Sequence, residues 1–480
     1  MVKKFEIKSP TLVNLELTEL CNVKCKHCYN PWRDVTMGDY SLDFIKVRKI
    51  INHLSEIGVF HVVLSGGEPM SNYDILISAM KLLNEKKITF SCNTNLILAN
   101  DEKMKELNSL GLDHCLTSIP SVDPKENDEI MQSKGSLDKI INGIKSCIRN
   151  NVRVSANMVV TKSNKHRVYE TGKMMAELGC SKFFVTRPVP PTYSEVAKNN
   201  ENKESDLVLS AEEVRKSLDD AIRVKEEFGI AIGSLVSYPL CFLGDLEKYS
   251  DFVGRGCPAQ RGHIVNINSD GKVHSCVHEE ESYGNIFKGE SLKDIYVKKL
   301  KKWTNGSLHY EGCKSCDYLN ICNSGCQMTA NAVNGKPASK DPLFFGKEAI
   351  TKDFNLVHDN KIYDYIHDFG KFYVPTRVRF RDDGNIFIVN PRWGNNITVE
   401  RNLALFLKNM QEKKSYFDLK DIGQDRLTWL ANLYFKDVIE SEKNLEIKKT
   451  IIGLSVDLMY LPNKISKSFR EITQKTSFKF

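Results

Sequence analysis

The sequence predicts an α/β protein: a partial (β/α)6 TIM-like barrel, then a cysteine-rich extension, then a small C-terminal α+β domain. Three observations carry this. From Thr11 to about Pro190, short apolar runs alternate with amphipathic stretches, the signature of parallel strands joined by helical crossovers. Cysteines cluster at Cys21–Cys28 and again at Cys313–Cys326. After about Asp353 the cysteines cease, and paired strand and helix patterns follow.

The strand candidates of the first region are Leu12–Leu17, Phe60–Leu64, Ile88–Cys92, His114–Ile119, Val152–Val160 and Lys182–Arg187. A helix is expected from Ser41 as its N-cap. It places Leu42, Ile45, Ile50, Leu54 and Ile57 on one face and stops at Gly58. Another opens at Ser136, with Leu137, Ile140, Ile141, Ile144 and Ile148 on one face. Six such units make an open version of an eight-unit barrel, whose site forms where strands end and loops begin. Pro190–Glu204 turns polar and proline-rich, as a linker does, and Ser210 with Glu213 makes a capping box. Ile264–Asn268 and Lys272–Cys276 flank Asp270-Gly271 as a hairpin. Arg377–Phe380 and Ile386–Val389 form a strand pair turning at Asp383-Gly384. Helical patterns follow near Glu400–Met410 and Arg426–Phe435, a winged-helix-like order. The expected domains are 1–190 (barrel), 191–253 (linker and helical connection), 254–350 (cysteine-rich) and 351–480 (C-terminal).

Composition narrows the class. Of 480 residues, 41% are hydrophobic and 27% charged, as in ordinary globular proteins. The N-terminus lacks the apolar run of a signal peptide, and no stretch is apolar enough to span a membrane, so a cytoplasmic protein is expected. Clustered cysteines in such a protein point to metal or redox centres, not disulfides. Most of the +7 net charge lies beyond Thr351, without the dense basic stripe of a nucleic-acid binder.

The first constellation is Cys21-x3-Cys25-x2-Cys28, directly after the first strand candidate, with Tyr29 next. Thiolates are the usual ligands of iron–sulfur clusters. Three of them on a four-iron cube leave one iron open to a small molecule. Zinc binding, or simple packing, is the alternative reading of the triad alone. It is joined by Ser65-Gly66-Gly67-Glu68-Pro69 at the end of the second strand candidate, where paired glycines allow close backbone approach. Together these residues resemble the radical S-adenosylmethionine (SAM) superfamily over roughly Thr11–Pro190. The resemblance implies a [4Fe-4S] cluster on Cys21, Cys25 and Cys28, with SAM on the open iron. It also implies reductive cleavage of SAM to a 5′-deoxyadenosyl radical. Tyr29, Gly66, Gly67, Glu68 and Pro69 then surround SAM, with Asn95, Ser118, Asn157 and Arg187 at the ends of later strands. Leu96 stands where the family often has glycine.

The second constellation is Cys257-x13-Gly271-x4-Cys276, followed by Cys313-x2-Cys316-x5-Cys322-x3-Cys326. It resembles the SPASM extension of peptide-modifying radical SAM enzymes, over roughly Cys257–Phe344. The resemblance implies one or two auxiliary iron–sulfur clusters. Cys257, Cys276 and Cys326 would serve the first, with His263 or Cys241 as candidates for its fourth ligand. Cys313, Cys316 and Cys322 would serve the second. The usual closing cysteine is replaced by Phe344, so either Asp341 or a bound molecule completes that site or the cluster is degenerate. Closely spaced cysteine pairs also make zinc sites, which is the rival reading. Cys92, Cys115, Cys147 and Cys180 fall in strand or helix patterns and are expected in the core.

The resemblance favours a maturase of a ribosomally made peptide (a RiPP precursor), forming a thioether or carbon–carbon crosslink or epimerising a residue. Its electron donor would be ferredoxin- or flavodoxin-like, and Arg377–Glu440 would hold the leader. No general acid or base stands out. The alternatives are a haem-like cofactor-biosynthesis step and, in another class, an iron–sulfur sensor with a DNA-binding winged helix. Sulfatase activation is disfavoured, because Val277 stands where those maturases carry an aspartate base.

Overall fold

A computed structural model describes residues 7–30, 40–190, 207–253, 256–353, 371–384, 386–392, 395–418, 433 and 438–441. They fall into two compact units: Ser9–Thr351, and Lys352–Phe480 together with Met1–Lys8.

The first unit is built on six parallel strands in sequence order: β1 (Leu12–Glu16), β2 (His61–Ser65), β3 (Thr89–Asn93), β4 (His114–Ser118), β5 (Arg153–Val159) and β6 (Lys182–Thr186). Helices α1 (Phe44–Glu56), α2 (Tyr73–Glu85), α3 (Asp101–Ser109), α4 (Pro124–Met131), α5 (Ser136–Arg149) and α6 (Val168–Glu177) lie between them. Each strand candidate falls within a residue or two of a strand. The sheet extends further than the sequence pattern suggests. β7 (Ala231–Gly233) pairs parallel with β6, and β8 (Ile264–Ile267) pairs parallel with β1. Beyond β8, β9 (Lys272–His274) and β10 (Gly284–Asn285) continue antiparallel, giving ten strands with β7 and β10 as edges. A three-residue strand has no readable periodicity, and β8 is recognisable from sequence only as half of a hairpin. The cysteine-rich extension therefore begins as part of the barrel wall. Gly271, at φ +83°, makes the β8–β9 turn.

The capping of α1 differs from expectation. Asp43, not Ser41, accepts from the Lys46 N–H, while Ser41 hydrogen-bonds Thr18 at 2.6 Å. On α5, Leu137, Ile140 and Ile144 are buried, but Ile148 is exposed. The capping box at Ser210 opens α7 (Ala211–Phe228). Cys92, Cys115, Cys147 and Cys180 are all buried in the core. After α7 and β7, the short α8 (Leu240–Leu243) leads toward the cysteine-rich segment, which carries α9 (Leu319–Cys322) and α10 (Gln327–Asn334).

In the second unit, β12 (Arg379–Asp382), β13 (Ile386–Arg392) and β14 (Asn395–Glu400) form an antiparallel meander, and β11 (Phe372–Tyr373) pairs with β15 (Glu440–Ser441). Helix α11 (Arg401–Glu412) follows β14 and buries Leu403, Ala404 and Leu407 in a core with Phe387, Val389 and Phe417. The third strand, β14, is an addition to the two expected, since Glu400 marks its end as well as the helix start. The helical pattern at Arg426–Phe435 and the linker at 191–206 lie outside the described residues, except Leu433.

Candidate functional site

Cys21, Cys25 and Cys28 lie on the loop that leaves β1. Cys21 is exposed and the other two half-buried. This loop is held by its neighbours. The N–H groups of Lys24 and Lys26 donate to the carbonyls of Met131 (3.2 Å) and Ile130 (2.8 Å), which the end of α4 leaves without helical donors. Asn95 Nδ2 donates to Asn22 at 2.7 Å. At the stem, the N–H groups of Gly67 and Glu68 donate to the carbonyls of Thr18 and Leu20, both at 2.7 Å. A Cβ on Gly66 would lie 2.3 Å from the Thr18 oxygen, and one on Gly67 would lie 2.2 Å from the Leu20 oxygen. The glycine pair is thus required for contact with the cysteine loop itself, and these two N–H groups are already used there. The Gly66 carbonyl accepts from Asn30 Nδ2 at 3.3 Å.

Glu68 is 1% exposed. Its Oε1 accepts from Met70 N–H (3.0 Å) and Thr94 Oγ1 (2.8 Å), and its Oε2 accepts from Asn95 N–H (2.7 Å). Burial raises its pKa, against the pull of these donors. It is the tie between the ends of β2 and β3. Pro69, buried, opens the single 3-10 turn that follows Glu68. Leu96, in the family's glycine position, keeps the left-handed conformation at φ +60°. Gly143 on α5 leaves room for it, since a Cβ there would meet the Leu96 oxygen at 2.3 Å.

Ser118 ends β4 beside Asn157 on β5, and Asn157 Oδ1 accepts from Thr186 Oγ1 at 2.6 Å. Arg187, 4% exposed, forms a two-pronged ion pair with Asp341, which is 1% exposed, at 2.9 and 2.7 Å, and donates to the Ser237 carbonyl at 2.6 Å. Asp341 also accepts from the N–H groups of Cys326 (3.0 Å) and Leu343 (2.9 Å). Its oxygens are fully engaged, which removes it as a candidate cluster ligand.

The auxiliary cysteines assemble in two sets. Burial pushes the Cys257 thiol up to about 11 and raises Cys276 well above its usual range, and each is raised further by the nearby charge of Cys326. His278 Nδ1 lies 3.6 Å from Cys276 Sγ, and burial holds its pKa down at about 4. Its ring packs 4.8 Å from Tyr29. Burial drives the Tyr29 phenol upward, as do charges at Glu16, Cys28 and Cys276, so Tyr29 stands between the first loop and this set. His263 is engaged elsewhere: its Nδ1 lies 3.2 Å from Thr11 Oγ1, and its carbonyl accepts from Thr11 and Leu12.

The second set lines a cavity of about 270 Å³ with Cys313, Cys316 and Cys322, and Cys241 lines it too. The sequence placed Cys241 as a candidate for the first set. The structure puts it with the second. The clue was available: Cys241 belongs to no periodic pattern, and one cysteine is missing at Phe344. The donor chemistry of both sets fits iron–sulfur clusters. Among the described residues, no three His, Cys, Asp or Glu side chains form a group that could hold a single metal ion. No helix among them is long and apolar enough to cross a membrane.

Comparison with known proteins places part of the chain in a family. Residues 15–175 match the family model "Radical SAM superfamily". The chain carries a radical SAM domain over these residues, and such a domain implies a [4Fe-4S] cluster and SAM. It is 25% identical over 341 residues to a PqqA peptide cyclase of Bradyrhizobium diazoefficiens, covering 69% of this chain and 85% of that protein. It is 22% identical over 349 residues to a pre-heme d1 synthase of Dinoroseobacter shibae, covering 68% and 84%. In fold it resembles Streptococcus suis SuiB bound to its precursor peptide SuiA, with TM-score 0.55 and 20% identity, covering 72% of this chain and 76% of that one.

Proposed function

We propose that this chain is a cytoplasmic radical SAM peptide maturase acting on a ribosomally made precursor, forming a thioether or carbon–carbon crosslink or epimerising a residue. The reading rests on one observation: a SAM-type cysteine loop and two auxiliary cysteine sets share one compact unit, over a stretch similar to a peptide cyclase. When bound, the cluster and SAM supply hydrogen-atom abstraction at an unactivated position.

The chain's own residues position and enclose. Cys21, Cys25 and Cys28 hold the cluster. Tyr29, Gly66, Gly67, Pro69, Asn95, Ser118 and Asn157 surround SAM. Glu68 acts through Met70, Thr94 and Asn95, which bond its two oxygens, and Arg187 acts through its pair with Asp341. Cys257, Cys276, Cys313, Cys316, Cys322 and Cys326 hold auxiliary clusters, and a ferredoxin- or flavodoxin-like partner donates the electron that cleaves SAM. In the second unit, β12 and β14 are the outer strands of the meander, and a leader peptide adds a strand to such an edge.

The likeness to a pre-heme d1 synthase supports a second reading, a small-molecule step of haem-like biosynthesis. Anaerobic incubation with SAM, a low-potential reductant and the short peptides encoded beside its gene separates the two. A peptide that loses a pair of hydrogens, or changes stereochemistry at one residue, is the expected result by mass spectrometry and chiral analysis. Unchanged peptides with a converted tetrapyrrole would overturn it.

A further inference from the structure

We propose that Cys241 supplies the fourth thiolate of an iron–sulfur cluster seated on Cys313, Cys316 and Cys322, in place of the closing cysteine replaced by Phe344. The inference rests on the auxiliary-cluster reading, and not on which peptide is modified.

All four thiols line one cavity, which Phe344 also lines. At about 270 Å³ it far exceeds the ~30 Å³ share of one water molecule, so it has room for a polynuclear centre. The replacement is local. The chain at 344 turns its ring edge-on to Tyr310, with centroids 5.3 Å apart. The next residue, Phe345, donates its N–H to Cys241 Sγ at 3.4 Å. The segment that would have brought a thiolate brings a donor to one instead. Cys241 sits on α8, directly after Leu240. Backbone donors to sulfur stabilise thiolates and tune cluster potential. Asp341, the oxygen alternative, is committed to Arg187. Four thiolates close a cube, so this site relays electrons and has no open iron for substrate.

The test uses the full chain carrying Cys21→Ala, Cys25→Ala and Cys28→Ala, reconstituted anaerobically with iron and sulfide. Adding Cys241→Ala should lower bound iron by between about one and about four atoms per chain and remove one component of the reduced electron paramagnetic resonance spectrum. Adding Phe344→Cys to that variant should restore both. Cys180→Ala, a core cysteine, should change neither. Iron and spectrum unchanged by Cys241→Ala would overturn the proposal, as would zinc in place of iron. Should Cys241→Ala be insoluble, Cys241→Ser carries the test, and an unchanged spectrum there overturns it. A parent that binds no iron outside Cys21–Cys28 would instead remove the auxiliary-cluster reading itself, a result distinct from equal iron in both.

Discussion

The two cysteine regions of the first unit are built on different principles. Cys21, Cys25 and Cys28 lie within eight consecutive residues, on a loop that leaves one thiol exposed. Its shape is set by backbone: α4 carbonyls, the Gly66-Gly67 contact and the Thr18 and Leu20 oxygens. The second cavity draws its thiols from α8 and from a segment some 70 residues later, burying Cys241 and Cys313 and half-burying Cys316 and Cys322. It is tied to the barrel by the buried Arg187–Asp341 pair, one residue past β6. A site that must admit a small molecule needs an open side and a fixed loop. A site that only relays electrons can be closed, and its ligands can come from any element that packs there.

Breaking each tie should expose that difference. The largest stability effect is expected at Asp341→Ala, which leaves the Arg187 guanidinium buried without its partner. Removing one member of a buried pair costs about 3–5 kcal/mol, and anaerobic denaturant unfolding would read it. The double change Arg187→Met, Asp341→Leu should recover most of that loss. A loss under about 1 kcal/mol in the single variant would mean that the pair is not what holds the two segments together. Gly67→Ala is expected to cost less, about 1–3 kcal/mol from overpacking against Leu20 and Glu19. Its signature is selective: SAM cleavage and loop-bound iron fall, while auxiliary iron stays. Equal loss at all sites would show that the loop and the cysteine-rich segment fold as one piece.

The same difference decides what could be read in advance. The first candidate site was legible because its three cysteines fall within eight residues and the glycines that contact its loop directly follow the next strand. The parallel core was legible because six strands are long enough to show apolar runs. β7 and β14 were not, being a three-residue strand in one case and a strand ending at a helix-start residue in the other. Cys241 was visible as a surplus thiol, but spacing cannot say which of two cavities a distant residue enters. Glu68 and Arg187 were expected near SAM from the family resemblance. Only geometry reveals that Glu68 is held by Met70, Thr94 and Asn95 and that Arg187 is paired with Asp341.

The central claim is that two separately built thiol regions do two jobs, and that only the first cleaves SAM. Its most direct test is 5′-deoxyadenosine production by the anaerobically reconstituted chain and by its Cys21→Ala, Cys25→Ala, Cys28→Ala variant under a low-potential reductant. The account predicts that the variant makes none above background, yet keeps an iron–sulfur absorption band from Cys241 and Cys257–Cys326. Cleavage at an unchanged rate in the variant would contradict it.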